Sequence, residues 1–325
     1  MNFIQQAFKG KNEWYHWVIT LLLIFFGWQV LGVLPLMTVA FMHSVDMGEF
    51  TKASADSFMT LGINSNLFLF LMVLMFFLGL IFLFIGVKYV HKRAITSLVT
   101  SRKTIDWKRF WFGFITWGVL AFVMIVLGIL LSPEDFIWNF KPVPFFTLVA
   151  ISLLFLPFQT SFEELLFRGY FMQGLGTLAK NRWFPLIFTS VVFGLLHGAN
   201  PEVEKLGYIS MVFYIGTGLF YGITTLMDEG TELALGLHAI NNIVAAFFVT
   251  TNWTVFQTDA LFIDTSEPSV GWEMFFPVLV LYPLMLLFFS KKYGWKNWKE
   301  KLIGKIEKPV TLKENYSILD EIGTE

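Results

Sequence analysis

Apolar stretches alternate with short polar segments along this chain; most are long enough to cross a bilayer as a helix, and the fifth, residues 183–197, reads as a short span. They cover residues 17–42, 67–87, 110–131, 145–178, 183–197, 208–227, 233–249 and 272–289. The first is expected to bend near Pro35. The fourth is too long for one simple crossing, so it reads as a span continuing into an amphipathic extension, with Pro157 as its bend. Residues 1–16 set Phe3, Phe8 and Trp14 against Lys9 and Lys11, a pattern expected to lie along the membrane interface. Gly218 and Gly222 are spaced for close helix contact in the sixth span. The pattern predicts an all-α polytopic membrane protein of about eight transmembrane helices, a single domain over residues 1–325.

Composition agrees. The chain is 56% hydrophobic and only 14% charged, whereas a soluble globular chain is nearer a quarter charged. Net charge is −1, which gives no reason to expect a nucleic-acid partner; the partners expected are the lipid bilayer and whatever the polar core binds. With no cysteine, thiol catalysis, thiolate metal sites and disulfides are excluded. The first apolar run is too long for a signal-peptide core and has no small-residue cleavage site, so it is expected to stay as a span.

Charge distribution predicts orientation. Lys88, Lys92, Arg93, Arg102, Lys103, Lys108 and Arg109 crowd one loop, and Lys180, Arg182 and the tail from Lys291 continue the series at alternate turns. Between them, the 43–64 loop carries Asp46, Glu49 and Asp56 against Lys52, and the 250–268 loop carries three acids and no Lys or Arg. The positive-inside rule then places both termini in the cytoplasm, as an even number of spans requires. Asp228, Glu229 and Glu232 form a tight acidic turn.

The candidate chemistry sits inside the spans. Glu163, Glu164 and Arg168 interrupt an apolar stretch, where ionised side chains are costly and usually functional. Glu164 and Arg168 are i, i+4 neighbours and can pair. Glu163 lies ~100° around the helix and is left without a local partner. His16, His43 and His91 fall at span ends or in loops, where they need no special explanation, but His197 and His238 lie within spans five and seven. Three ionisable residues on three helices are most cheaply satisfied by one shared cavity. Phe193 shares a helix face with His197, and Asn242 one with His238, while Asn241 points ~100° away toward a helix contact. On straight rods the three groups would sit at depths differing by more than ~10 Å. There is no H-E-x-x-H and no G-x-S-x-G.

The ordered segments E-E-x-x-x-R (Glu163, Glu164, Arg168), F-x-x-x-H (Phe193, His197) and H-x-x-x-N (His238, Asn242) resemble the CPBP intramembrane proteases. That family includes the type II CAAX prenyl endopeptidases and bacterial bacteriocin-processing and immunity relatives. The resemblance covers about residues 145–250, in spans four to seven. It implies peptide hydrolysis by a water that a glutamate and a histidine activate, with no metal. Glu163, His197, His238 and Asn242 would be the catalytic set and Glu164, Arg168 and Phe193 its support. It also implies a peptide or protein substrate entering from the membrane or its interface, and a bacterial cell membrane as the setting. Two alternatives stay open on the same residues. Glu163, His197 and His238 could hold Zn²⁺ as a two-His, one-Glu metallohydrolase site. The polar cluster could instead serve a transporter or a non-catalytic binding or immunity protein.

Overall fold

The computed structural model describes residues 1–55 and 58–309 of the chain; Asp56 and the tail beyond residue 309 lie outside the described residues. Among the described residues six helices are long and apolar enough to cross a membrane: α1 (Trp14–His43), α2 (Ser65–Val90), α3 (Trp107–Leu131), α4 (Pro142–Ala179), α6 (Tyr208–Asp228) and α8 (Met274–Tyr293). Two shorter apolar helices complete the bundle, α5 (Trp183–Ala199) and α7 (Glu232–Phe247). This is an all-α, multi-pass integral membrane fold.

Local chemistry sets the helix ends. The Asn64 side chain accepts from the Asn66 and Leu67 amides and starts α2, and Asp106 does the same for α3 through the Lys108 amide. Pro35 falls in the first turn after a wide π-helical stretch at Phe26–Leu31, where the missing N–H of proline costs nothing. α4 runs unbroken through Pro157. Its departure from regular geometry comes later, in a π-helical stretch at Leu165–Phe171 just beyond Glu164. The polar segment between α5 and α6 holds a short helix, Pro201–Leu206.

α7 is enclosed on nearly every side. Leu233, Ala234, Leu237, Ala239, Ile243 and Ala246 are each at most 1% exposed, as expected for a short helix packed all round by α3, α4 and α6. Close approach depends on glycine: a Cβ on Gly113 of α3 would lie 2.7 Å from the Leu233 carbonyl of α7. A Cβ on Gly218 of α6 would lie 2.8 Å from the Ser190 carbonyl of α5, as its spacing predicts. By contrast α3 turns Trp111, Ile115, Val119 and Leu130 outward, a face suited to lipid.

The two ends of the bundle are fastened differently. At the end carrying the basic loop, Arg102 meets Asp228 at 3.0 Å and Glu232 at 3.1 Å, and Arg109 also pairs with Asp228. Glu229 pairs with Lys301, lies 3.5 Å from Arg182 and accepts the Phe3 amide. The acidic turn at 228–232 is therefore not an exception to the charge pattern but its counter-charge. At the opposite end β1 (Phe136–Trp138), β2 (Val249–Thr250) and β3 (Phe262–Asp264) form a small sheet in the order β1-β3-β2, with β3 antiparallel to β1 and parallel to β2. Asp259 accepts from Ser65 at 2.6 Å there.

Two expectations change. The apolar side chains of the first residues face the bundle rather than an open surface: Phe3 and Ile4 are fully buried, and Ile4 packs with Met172, Leu186 and Leu226. A short segment with few large apolar side chains gains more from a docking groove than from the bilayer surface. Nor is His91 a solvent-facing interfacial residue. It is 1% exposed, its Nδ1 donates to the Lys11 carbonyl at 2.8 Å, and its Nε2 lies 3.0 Å from the Tyr170 hydroxyl. Burial, opposed by the bond to Lys11, holds its pKa down to about 4, so the ring is neutral at pH 7.

Candidate active site

The charged triplet of α4 divides as helical spacing predicts. Arg168 Nη1 donates to Glu164 Oε1 at 3.0 Å, with both side chains fully buried. Its Nη2 donates to the Gly218 carbonyl at 3.0 Å, tying α4 to α6. The guanidinium also lies over the Phe193 ring, 4.3 Å from its centroid, an attraction that a desolvated site strengthens. Glu163 faces away from this pair and lines a cavity of about 650 Å³ inside the bundle, as do His197, His238 and Asn242.

His238 lies between the two acids. Its Nδ1 donates to Glu164 Oε1 at 2.9 Å, because an ionised carboxylate can only accept. That contact turns Nε2 toward Glu163 Oε2 at 3.5 Å, and Tyr221 stacks on the ring at 5.1 Å. Glu163 Oε2 is buried, lines the cavity and accepts no hydrogen bond; its neighbour there is His238 Nε2 at 3.5 Å. Glu163 and His238 thus meet despite their unequal depths on straight rods.

His197 is fixed at the end of α5. Its Nδ1 donates to the Phe193 carbonyl at 2.8 Å, which leaves the lone pair of a neutral ring on Nε2. Phe193 flanks the imidazole at 4.7 Å, and Tyr214 of α6 stacks on its other face at 4.6 Å and 22°. Phe193 therefore stands among His197, His238 and Arg168. Its spacing from His197 indicated the first of these contacts only.

Gln159 completes the arrangement, and sequence reasoning passed over it. Its Nε2 donates to Glu163 Oε1 at 2.8 Å, and its Oε1 accepts from Asn242 Nδ2 at 3.0 Å. The i, i+4 spacing from Gln159 to Glu163 was the available signal. Asn242 reaches the acid through this amide rather than directly. Asn241 is the helix-contact residue expected, accepting from Trp117 Nε1 of α3 at 3.1 Å. A chain of hydrogen bonds, joined at one point by the 3.5 Å approach of His238 Nε2 to Glu163, runs from Arg168 through Glu164, His238, Glu163, Gln159 and Asn242 to Asn241. Gln159→Leu is expected to lower kcat by roughly 10–100-fold, as a misplaced catalytic group does, with a nearly unchanged melting temperature. Steady-state kinetics and thermal unfolding in detergent would check this.

Among the described residues no three His, Asp or Glu side chains converge closely enough to hold an ion, and His238 commits Nδ1 to Glu164. What the cavity offers is one carboxylate oxygen that accepts no hydrogen bond, two imidazole Nε2 atoms and an amide, facing a space large enough for a short peptide segment.

A family model described as type II CAAX prenyl endopeptidase Rce1-like matches residues 142–244, a segment that contains every residue of the polar chain just traced. The chain is also 29% identical over 211 residues to an uncharacterized protein, YyaK, of Bacillus subtilis (strain 168); the match covers 64% of this chain and 71% of that protein. No solved structure matches.

Proposed function

We propose that this membrane protein is a metal-independent glutamate-type intramembrane endopeptidase, a reading supported by the match of residues 142–244 to the Rce1-like model of type II CAAX prenyl endopeptidases. The observation that carries this reading is the buried Glu163 Oε2, which accepts no hydrogen bond and faces a cavity shared with His197, His238 and Asn242. A water seated between Glu163 Oε2 and His197 Nε2 attacks the peptide carbonyl carbon, and Glu163 takes its proton. The negative oxygen that forms is met by a protonated His238 Nε2 and by the Asn242 amide, donors of the oxyanion-hole kind. Glu164 holds the opposite nitrogen of His238, as an orienting carboxylate does in a hydrolytic triad. When the C–N bond breaks, the proton passes from Glu163 to the departing amine.

Gln159 keeps base and donor in register by bonding both Glu163 and Asn242. The substrate is a peptide or protein segment entering from the bilayer or its interface. The setting is a bacterial cell membrane with both termini on the cytoplasmic side, a reading supported by the gathering of Arg102, Arg109, Arg182 and Lys301 at one end of the bundle.

The test is cleavage of C-terminally prenylated and leader-type peptides by purified protein in detergent, with and without chelator. Cleavage retained with chelator and lost in His197→Ala is the expected result. Cleavage abolished by chelator and restored by Zn²⁺ would overturn the metal-independent mechanism.

A further inference from the structure

The charges lining the cavity are one-sided. Among the described residues that line it the ionisable groups are Glu163, Glu202, His197, His238 and two tyrosines, Tyr214 and Tyr221, beside a third phenol at Tyr282; no Lys or Arg contributes. Glu202, on the short helix after His197, is 9% exposed. Its Oε1 accepts from the Asn200 amide at 3.0 Å and from the Tyr214 hydroxyl, and its Oε2 accepts the Val255 amide at 3.0 Å. Donors on both oxygens are what an ionised carboxylate requires, but neutral donors do not supply a counter-charge.

Every other buried acid among the described residues has a basic partner. Glu164 has Arg168 and His238, Asp228 has Arg102 and Arg109, Glu232 has Arg102, and Glu163 has His238. Among these buried acids Glu202 alone has no described Lys, Arg or His nitrogen within 4 Å. An ionised carboxylate buried without a basic partner is costly, and the place of this one in a ligand cavity points to a partner that arrives with the ligand. Oε2, with a single donor, has the spare acceptor capacity.

We infer that Glu202 is a specificity site for a positively charged side chain, so that the peptide taken into this cavity carries a Lys or Arg close to the bond that is cut. Tyr214 fixes the distance: its ring stacks on His197 while its hydroxyl reaches Glu202, so the cation sits one tyrosine ring away from the reacting groups. At ~3.3 Å per extended residue, that is within about three residues of the scissile bond. A substrate presenting a free carboxylate at the same place would meet Glu202 with no cation to receive it. The inference rests on the proposed peptidase reading for the identity of the ligand as a peptide.

Binding, not cleavage, tests it. The full chain bearing Glu163→Gln would be titrated in detergent with fluorescent peptides differing at one residue, which is Lys, Arg, norleucine or Glu at each of three positions on either side of the expected cleavage point. The expected result is a position at which Lys and Arg bind at least about tenfold more tightly than norleucine, with Glu weakest. Adding Glu202→Gln should bring the Lys-to-norleucine ratio to within about twofold of one, while Glu202→Asp keeps the preference. Absence of any position favouring Lys or Arg, or a preference that survives Glu202→Gln, would overturn the inference. If Glu202→Gln does not fold, the comparison of peptides with Glu202 intact decides alone. A charge preference without cleavage by wild type would count against the peptidase reading and leave this one standing.

Discussion

Glu163→Gln is expected to reduce peptide cleavage by about 10³–10⁴-fold, with peptide binding and the melting temperature nearly unchanged. The amide keeps the shape of the side chain and can still accept from Gln159, but it cannot take a proton from water. The loss should appear in kcat, because the base acts in the transition state rather than in ground-state binding. Single-turnover cleavage of a quenched fluorescent peptide is the measurement. Residual activity within tenfold of wild type would remove Glu163 from the role of base.

The second large effect is on stability. Arg168→Met leaves Glu164 fully buried without its arginine and frees the Gly218 carbonyl, and is expected to cost about 3–5 kcal/mol. Thermal unfolding in detergent would show it. Removing both charges, as Glu164→Gln with Arg168→Met, should recover most of that loss, because the expense lies in the unpaired charge rather than in the absence of the pair. Activity should not return with stability. His238 then lacks the carboxylate that fixes Nδ1, and kcat is expected to stay about 10²-fold down or more. A double variant that regains both would reduce Glu164 and Arg168 to packing residues.

Much of this arrangement is legible in the chain because charge inside an apolar run is conspicuous. Glu163, Glu164, Arg168, His197 and His238 stand out for the cost of burying them, and helical spacing correctly separates the paired acid from the free one. Asn241 and Asn242 separate by the same geometry. Neutral groups are harder to see. Gln159 and Tyr214 cost less to bury than an ion, so only the i, i+4 spacing of Gln159 from Glu163 hints at the first, and nothing marks the second until the chain is folded.

Glu202 escaped notice for a different reason. It follows Asn200 and Pro201, in a stretch whose polarity reads as a solvent loop. The burial of His91 and of Phe3 depends on segments far apart in sequence, and no local periodicity reports such contacts. The acidic turn at 228–232 is visible as a run of charge, yet its partners lie as far away as Arg102 and Lys301.

That separation has a consequence in time. A chain made from its N-terminus completes the basic loop more than a hundred residues before Asp228 and Glu232 exist. While α2 and α3 are being threaded, Arg102 carries an uncancelled charge, which is the property that an inserting membrane reads in deciding which way a hairpin faces. Only after α6 has followed do the acids arrive and quench it. On that reading Arg102, one of seven Lys and Arg residues in this loop, would serve first as part of an address and later as a rivet.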